Sequence, residues 1–279
     1  GFYITPERMS YEEIGNVWKQ EGVELDLSKL TVSQATYAFF KQAGLETTPS
    51  DTGSFNSSDF YLSNIKGIDT GVVNVPQELK DAYNRKHKEE LTLESKTGTD
   101  LGEFDYTTMS GWMNTVDNVL GDTGAGSYLV DTVSGNADTH VIRWQFTLAD
   151  YGGDLGYGMS DDGAYYVTQD KTELYTLYAE HADEIAKDTA LKEELLSVMA
   201  DFNATADEVE QAEKQITGME KSSVSITMNN QAPYMTLTDA DGNEVELGEP
   251  ENYTYTAGLS AGTYRLSAYK MSGSDKVDM

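Results

Sequence analysis

The sequence predicts an α+β protein, and three stretches carry that expectation. Residues 141–148, VIRWQFTL, alternate polar and apolar side chains with a period of two, as a strand with one face on a core does. From Lys171 to Gln215 apolar residues recur at helical spacing, and from Ser222 onward short β-type runs are separated by Asp-Gly, Ala-Gly and Glu-Pro turns. These shifts divide the chain into an α+β domain over residues 1–158, a helical connector over 159–221 and a small β-sandwich, immunoglobulin-like or transthyretin-like, over 222–279. The last segment is shorter than the roughly 100 residues of a full sandwich and reads as minimal or cut short.

Each element has a local reason. Residues 2–11 carry Phe, Tyr and Ile in weak alternation and read as an edge strand interrupted by Pro6. Thr31 or Ser33 is placed to cap a helix with Ala35, Phe39 and Phe40 on one stripe and Gly44 as its stop. Residues 59–68 return to strand character, and 75–91 read as a helix opened by Pro76 with Leu79 and Tyr83 on one face. That helix ends in Arg85, Lys86, His87 and Lys88, read as a solvated face. Residues 103–122, EFDYTTMSGWMNTVDNVLGD, set Trp112 in a Gly-, Asp- and Asn-rich, turn-like context. In the connector, Leu174, Tyr178 and Ile185 mark one stripe and Leu191, Leu195 and Met199 a second, with Asp188 as a cap. Val209, Ala212 and Ile216 mark a third helix, opened by Thr205 and Glu208 at capping-box spacing.

Composition excludes several functions. With 19 Lys+Arg against 48 Asp+Glu, the net charge of −29 repels phosphate backbones and anionic membrane surfaces, so no nucleic-acid partner is expected. The chain has no cysteine, which removes disulfides, thiolate metal sites and a cysteine nucleophile. No apolar run reaches the length of a membrane span, and no membrane insertion is expected. The opening Gly1-Phe2-Tyr3-Ile4 reads as the interior of a longer surface protein.

The chemistry-bearing residues are sparse. His87, His140 and His181 fall in three different elements with no metal-ligand spacing, and no nucleophile-elbow motif is present. Glu103 and Asp105 form a carboxylate pair of the kind glycosidases use, although 48 acidic residues make such pairs common. Asp239, Asp241 and Asn243 begin like a calcium loop, but position 12 is Pro250, and a type I′ hairpin at Asp241-Gly242 explains them better. Asn56, Asn203 and Asn252 open formal glycosylation sequons. Tyrosine is abundant, 18 residues against 8 Phe, and supplies stacking area with a polar tip.

The segment LGEFDYTTMSGWMNTVDNVLGDTGAGSYLV, followed by VIRWQFTLADYGGDLG, resembles the transcobalamin C-terminal-like domain carried by many surface proteins of Gram-positive bacteria. Ser110, Gly111, Trp112 and Met113 match its Ser-Gly-Trp-Met element, and Val116 and Asn118 its Val-Asn-Asn element, with Asp117 in place of the usual Asn. Arg143, Gln145 through Leu148 and Gly153 through Gly156 match its closing strand and turn. The resemblance implies a β-grasp domain of a soluble-ligand-binding type over residues 1–158. It does not by itself assign cobalamin, because the vertebrate carriers clamp the corrinoid against a helical barrel that residues 171–217 are too few to form. No cofactor is otherwise expected.

The expected function is a non-enzymatic, extracellular or cell-wall-associated binding segment whose partner is a small ligand or a surface of the host or cell. Trp112 and Tyr106 are the candidates to stack on a ligand, and Asn114, Asp117 and Asn118 to make polar contacts. The rival reading is a structural or adhesive stalk module without a ligand. Trp112 separates the two: it either lines a concave pocket or is sealed inside a core.

Overall fold

The computed structural model describes residues 5–48, 53–69, 71, 73–132, 139–157, 164–219, 222–227, 234–240, 242–251, 253–259, 263–272 and 275–278. The protein mixes helices with several small sheets, and the described strand pairings are all antiparallel. The chain divides into two compact units, Gly1–Ala212 and Glu213–Met279.

Of the edge strand expected over residues 2–11, residues 2–4 lie outside the described residues. Residues 5–10 have no strand structure, and α1 runs over Tyr11–Gln20, started by a capping box in which Ser10 and Glu13 satisfy each other's backbone N–H groups. Its core-facing residues are Ile14 and Trp18, spaced by four along one helix face. A second capping box, Thr31 with Gln34, starts α2 (Val32–Ala43), and Gly44 at φ +67° ends it. The strand expected over 59–68 shrinks to β1 (Asn64–Ile65), paired with β2 (Leu101–Gly102). Helix α3 (Gln77–His87) starts at Pro76 as its sequence suggests. Its basic end is not wholly solvated: His87 Nε2 lies 2.5 Å and Lys86 Nζ 3.7 Å from Asp150, while Lys86 also sits over the Tyr165 ring.

The Trp112 segment is a strand. β3 (Gly111–Val116) pairs along its whole length with β5 (Ile142–Thr147), and β4 (Val119–Leu120) covers its other edge, giving the order β4-β3-β5. The turn-like composition belongs to its ends: Asp117 at φ +49° and Asn118 at φ +62° make the two-residue β3–β4 hairpin, residue types that tolerate that region best after glycine. In the register, Trp112 faces Phe146, Asn114 faces Trp144 and Val116 faces Ile142, so these six share one side of the sheet. That side meets a core of Ile14, Trp18, Leu30, Val32, Phe40 and Phe60. Trp18, Tyr37, Phe55, Phe60 and Trp144 run through it as successive ring contacts.

The unit closes with helices α4 (Thr172–Glu180), α5 (Ala182–Ile185) and α6 (Thr189–Ala200), and α7 (Ala206–Met219) leads across the division between the units. Asp188 caps α6 and Thr205 pairs with Glu208 at the start of α7, as their spacing suggests. Buried Lys171 donates to the carbonyls of Val198, Met199 and Asp201, satisfying acceptors that the C-terminal end of α6 leaves without helical partners.

In the second unit β6 (Ser222–Thr227) pairs with β9 (Thr254–Leu259). A separate sheet has the order β11-β10-β7-β8, from β7 (Tyr234–Thr238), β8 (Glu244–Val245), β10 (Arg265–Ser272) and β11 (Asp275–Asp278). The segment 239–243 joins β7 to β8 as a hairpin with Gly242 at φ +88°; Asp241 and Asn252 lie outside the described residues.

One close approach fixes the loop before Tyr128. A Cβ built on Gly126 would lie 2.2 Å from the Ser57 carbonyl oxygen, so the chain can cross there only without a side chain. Gly126→Ala is expected to lower unfolding stability by about 1–3 kcal/mol, as overpacking does, measured by urea denaturation; an unchanged midpoint contradicts the assignment.

Candidate functional site

The first unit contains a cavity of about 950 Å³, near the top of the range of roughly 300–1,000 Å³ that small-molecule sites occupy. It follows β5, whose outer edge has no strand partner among the described residues. Side chains from both faces of β5 therefore reach it. On one side Ile142, Trp144 and Phe146 join Trp112 and the α2 residues Phe39 and Phe40 as an aromatic wall. On the other, Arg143 lies over the Tyr175 ring of α4, and Gln145, Thr176, Met199 and Phe202 also line the space.

Trp112 is held firmly in this wall. Its indole N–H donates to the Leu101 carbonyl at 3.0 Å, its ring meets Phe146 edge to face at 5.2 Å, and it is partly exposed. Trp144 is fixed in the same way, its N–H donating to Thr36 Oγ1 at 2.9 Å. Tyr106, buried, donates to Asp69 Oδ2 at 2.7 Å, and Lys96 Nζ lies 3.0 Å from Asp69 and 2.8 Å from Asp105. Burial followed by that bond to Asp69 pushes the Tyr106 hydroxyl up to about 12, so it remains a donor at neutral pH.

The structure thus brings Trp112 and Tyr106 together on the cavity wall. Asn114 stands on the same side of β3, opposite Trp144, outside the lining. Asp117 and Asn118 also lie outside it: Asp117 accepts from the Val141 N–H at 2.8 Å and lies 2.8 Å from His140 Nδ1, and Asn118 accepts from the Tyr157 hydroxyl. The carboxylates of Glu103 and Asp105 are engaged separately, with Tyr61 at 2.9 Å and with Lys96 and the Gly102 N–H. Among the described residues no group of three or more His, Asp or Glu side chains is arranged to hold a metal ion, and no helix is long and apolar enough to cross a membrane.

Sequence reasoning missed four polar groups on the wall. Arg143, Gln145 and Tyr175 come from strand and helix positions whose meeting no local pattern announces. The fourth, Asp154, is 2% exposed and accepts from the Thr147 hydroxyl and, at 2.8 Å, from the Leu148 N–H. Left-handed Gly156, at φ +93°, closes the tight turn that carries it. Comparison with family models, with curated proteins and with solved structures gives no match for this chain.

Burial pushes the Asp154 carboxyl up from 3.8 to about 6, against hydrogen bonds that favour its ionised form. Between those values the folded chain keeps a proton that the unfolded chain has lost, so this carboxyl's contribution to stability falls as pH rises through the window. Asp154→Asn can still accept from the Leu148 N–H. Its stability relative to wild type is expected to rise by up to about 3 kcal/mol from about pH 4 to about pH 7, at 1.36 kcal/mol per pH unit. Urea titrations at the two pH values test this, and a constant difference contradicts it.

Proposed function

We propose that the first unit is a non-catalytic binding module of an extracellular or cell-wall-associated protein, holding a small ligand in the cavity along β5. The observation that carries this reading is the position of Trp112, which lines a concave space of ligand size instead of being sealed inside the core. A stalk module has no use for such a space, whose wall is built from fixed aromatic rings. Binding is favoured over catalysis because the carboxylates on the wall already have partners: Asp69 with Tyr106, Asp131 with Tyr11, Glu180 with Arg8 and Asp154 with Thr147. The chain's acidity and lack of cysteine suit an exported protein.

We further read the unit as a transcobalamin C-terminal-like domain of the β-grasp kind, on the motifs around Trp112 and residues 142–156. A corrinoid belongs in the ligand panel for that reason alone, and a whole one is larger than the drug-sized ligands that cavities of this volume enclose. We read the second unit as a sandwich-type spacer or contact module, on its two antiparallel sheets and exposed Tyr234, Tyr253 and Leu266.

Calorimetric titration of corrinoids, glycans and apolar small molecules against wild type, Trp112→Phe and Trp112→Ala tests the reading. At least one ligand is expected to bind wild type, with Trp112→Ala weakening it about tenfold or more and Trp112→Phe weakening it less. No heat from any class, with Trp112→Ala only lowering stability, returns Trp112 to a packing role and favours the stalk.

A further inference from the structure

The cavity wall carries charge and hydrogen-bonding capacity that the protein itself does not use. Of its charged groups, Arg8 pairs with Glu180 at 3.1 Å, Glu7 accepts from Gln42 at 2.6 Å, and Asp69, Asp131 and Asp154 have the donors named above. Arg143 is different. Its guanidinium lies over the Tyr175 ring, 5.1 Å from the centroid, and among the described residues no carboxylate is paired with it. That is a notable position for an arginine in a chain with 48 acidic residues. Beside it, the Tyr175 hydroxyl and Gln145 Oε1 are buried with no hydrogen-bond partner, and Tyr175 as a whole is only 7% exposed. Orphaned buried polar atoms cost free energy unless something else bonds them.

We propose that the cavity takes an apolar carboxylic acid, with its hydrocarbon or ring body on the Trp112, Trp144 and Phe146 side and its carboxylate on Arg143 and the Tyr175 hydroxyl. This rests on the reading of the cavity as a ligand site and adds the chemical class. The fork of a guanidinium matches the two oxygens of a carboxylate, and the Tyr175 O–H supplies a further donor. Gln145, through its amide, takes a hydroxyl or N–H group next to the carboxylate. The sign follows from what is left over. Each acidic side chain on the wall already holds a donor, so a cationic ligand would have to share a carboxylate, whereas an anion meets a guanidinium that has no carboxylate partner among the described residues. The body follows from the geometry, since the unpaired edge of β5 lets one space reach both faces of the strand.

The test uses the full 279-residue chain and a fluorescent pair, 11-(dansylamino)undecanoic acid and its methyl ester, which differ in charge at one end only. Wild type is expected to bind the acid about tenfold more tightly than the ester, the scale of a hydrogen bond to a charged group. Arg143→Gln is expected to bring the acid to the level of the ester and leave the ester unchanged. Tyr175→Phe, which keeps the ring beneath the guanidinium, is expected to weaken the acid about threefold and the ester not at all, and it decides the matter if Arg143→Gln does not fold. Equal binding of acid and ester to wild type overturns the carboxylate assignment while leaving the cavity as a binding site. Binding of neither overturns both. Retention of the full acid preference in folded Arg143→Gln, or in Tyr175→Phe where Arg143→Gln does not fold, also overturns the carboxylate assignment.

Discussion

The antiparallel pairing of β3 with β5 is the constraint from which the first unit follows. Six residues on each strand are fixed opposite one another, and because side chains alternate, one register decides two environments at once. It sends Trp112, Trp144 and Phe146 toward the α1 and α2 core and sends Arg143 and Gln145 toward α4. A slip of one residue would exchange the two sets, placing a guanidinium among the rings of the core. The cross-strand aromatic contact of Trp112 with Phe146 adds on the order of 0.5–1.5 kcal/mol beyond its burial and so helps to hold that register.

The same pairing explains why the protein has a cavity. Among the described residues β5 is paired on one edge only, and the space beside it is bounded by side chains of α2 and of α4. The acidity of the chain does not fill that space with unbalanced charge. Asp69 is the clearest case: burial raises its carboxyl, but the Tyr106 hydroxyl, the Gly71 N–H and Lys96 outweigh that and hold it below the usual range. Asp154 is the opposite case: it is buried more deeply and, among the described residues, has no cation beside it, and the Thr147 hydroxyl and the backbone N–H groups do not offset its desolvation. One negative net charge therefore coexists with two kinds of buried carboxyl, set by how deeply each is buried and by whether a cation stands beside it.

What the sequence made legible was local. Caps at Thr31, Asp188 and Thr205, the stop at Gly44 and the alternation over 141–148 depend on residues a few positions apart, and each has the role its spacing suggests. Where the reading failed, either a stronger local signal competed or a distant partner decided. The weak strand signal before α1 yielded to the Ser10–Glu13 capping box, and the basic end of α3 found Asp150, 63 residues away. The turn-rich look of residues 103–122 came from true turns on both sides of a strand, over 103–109 before β3 and at Asp117 and Asn118 after it. The site was half legible for the same reason. Trp112 and Tyr106 stood out by composition, but Arg143 read only as the polar phase of a strand, and nothing near it indicates that Tyr175, 32 positions on, lies under it.

Packing and recognition are not exclusive roles for Trp112. A core tryptophan is defined by the loss of solvent around its ring, and a platform by a fixed orientation with space beside it. The N–H bond to Leu101 and the edge-to-face contact with Phe146 fix the orientation of the indole before any ligand arrives. That is the condition under which an aromatic contact costs least entropy on binding. The rest of the ring borders the cavity. The strand start suits both demands, because Trp112 is carried in as the first large residue of β3. The stability that holds the ring in place is thus the same stability that would prepare it to bind.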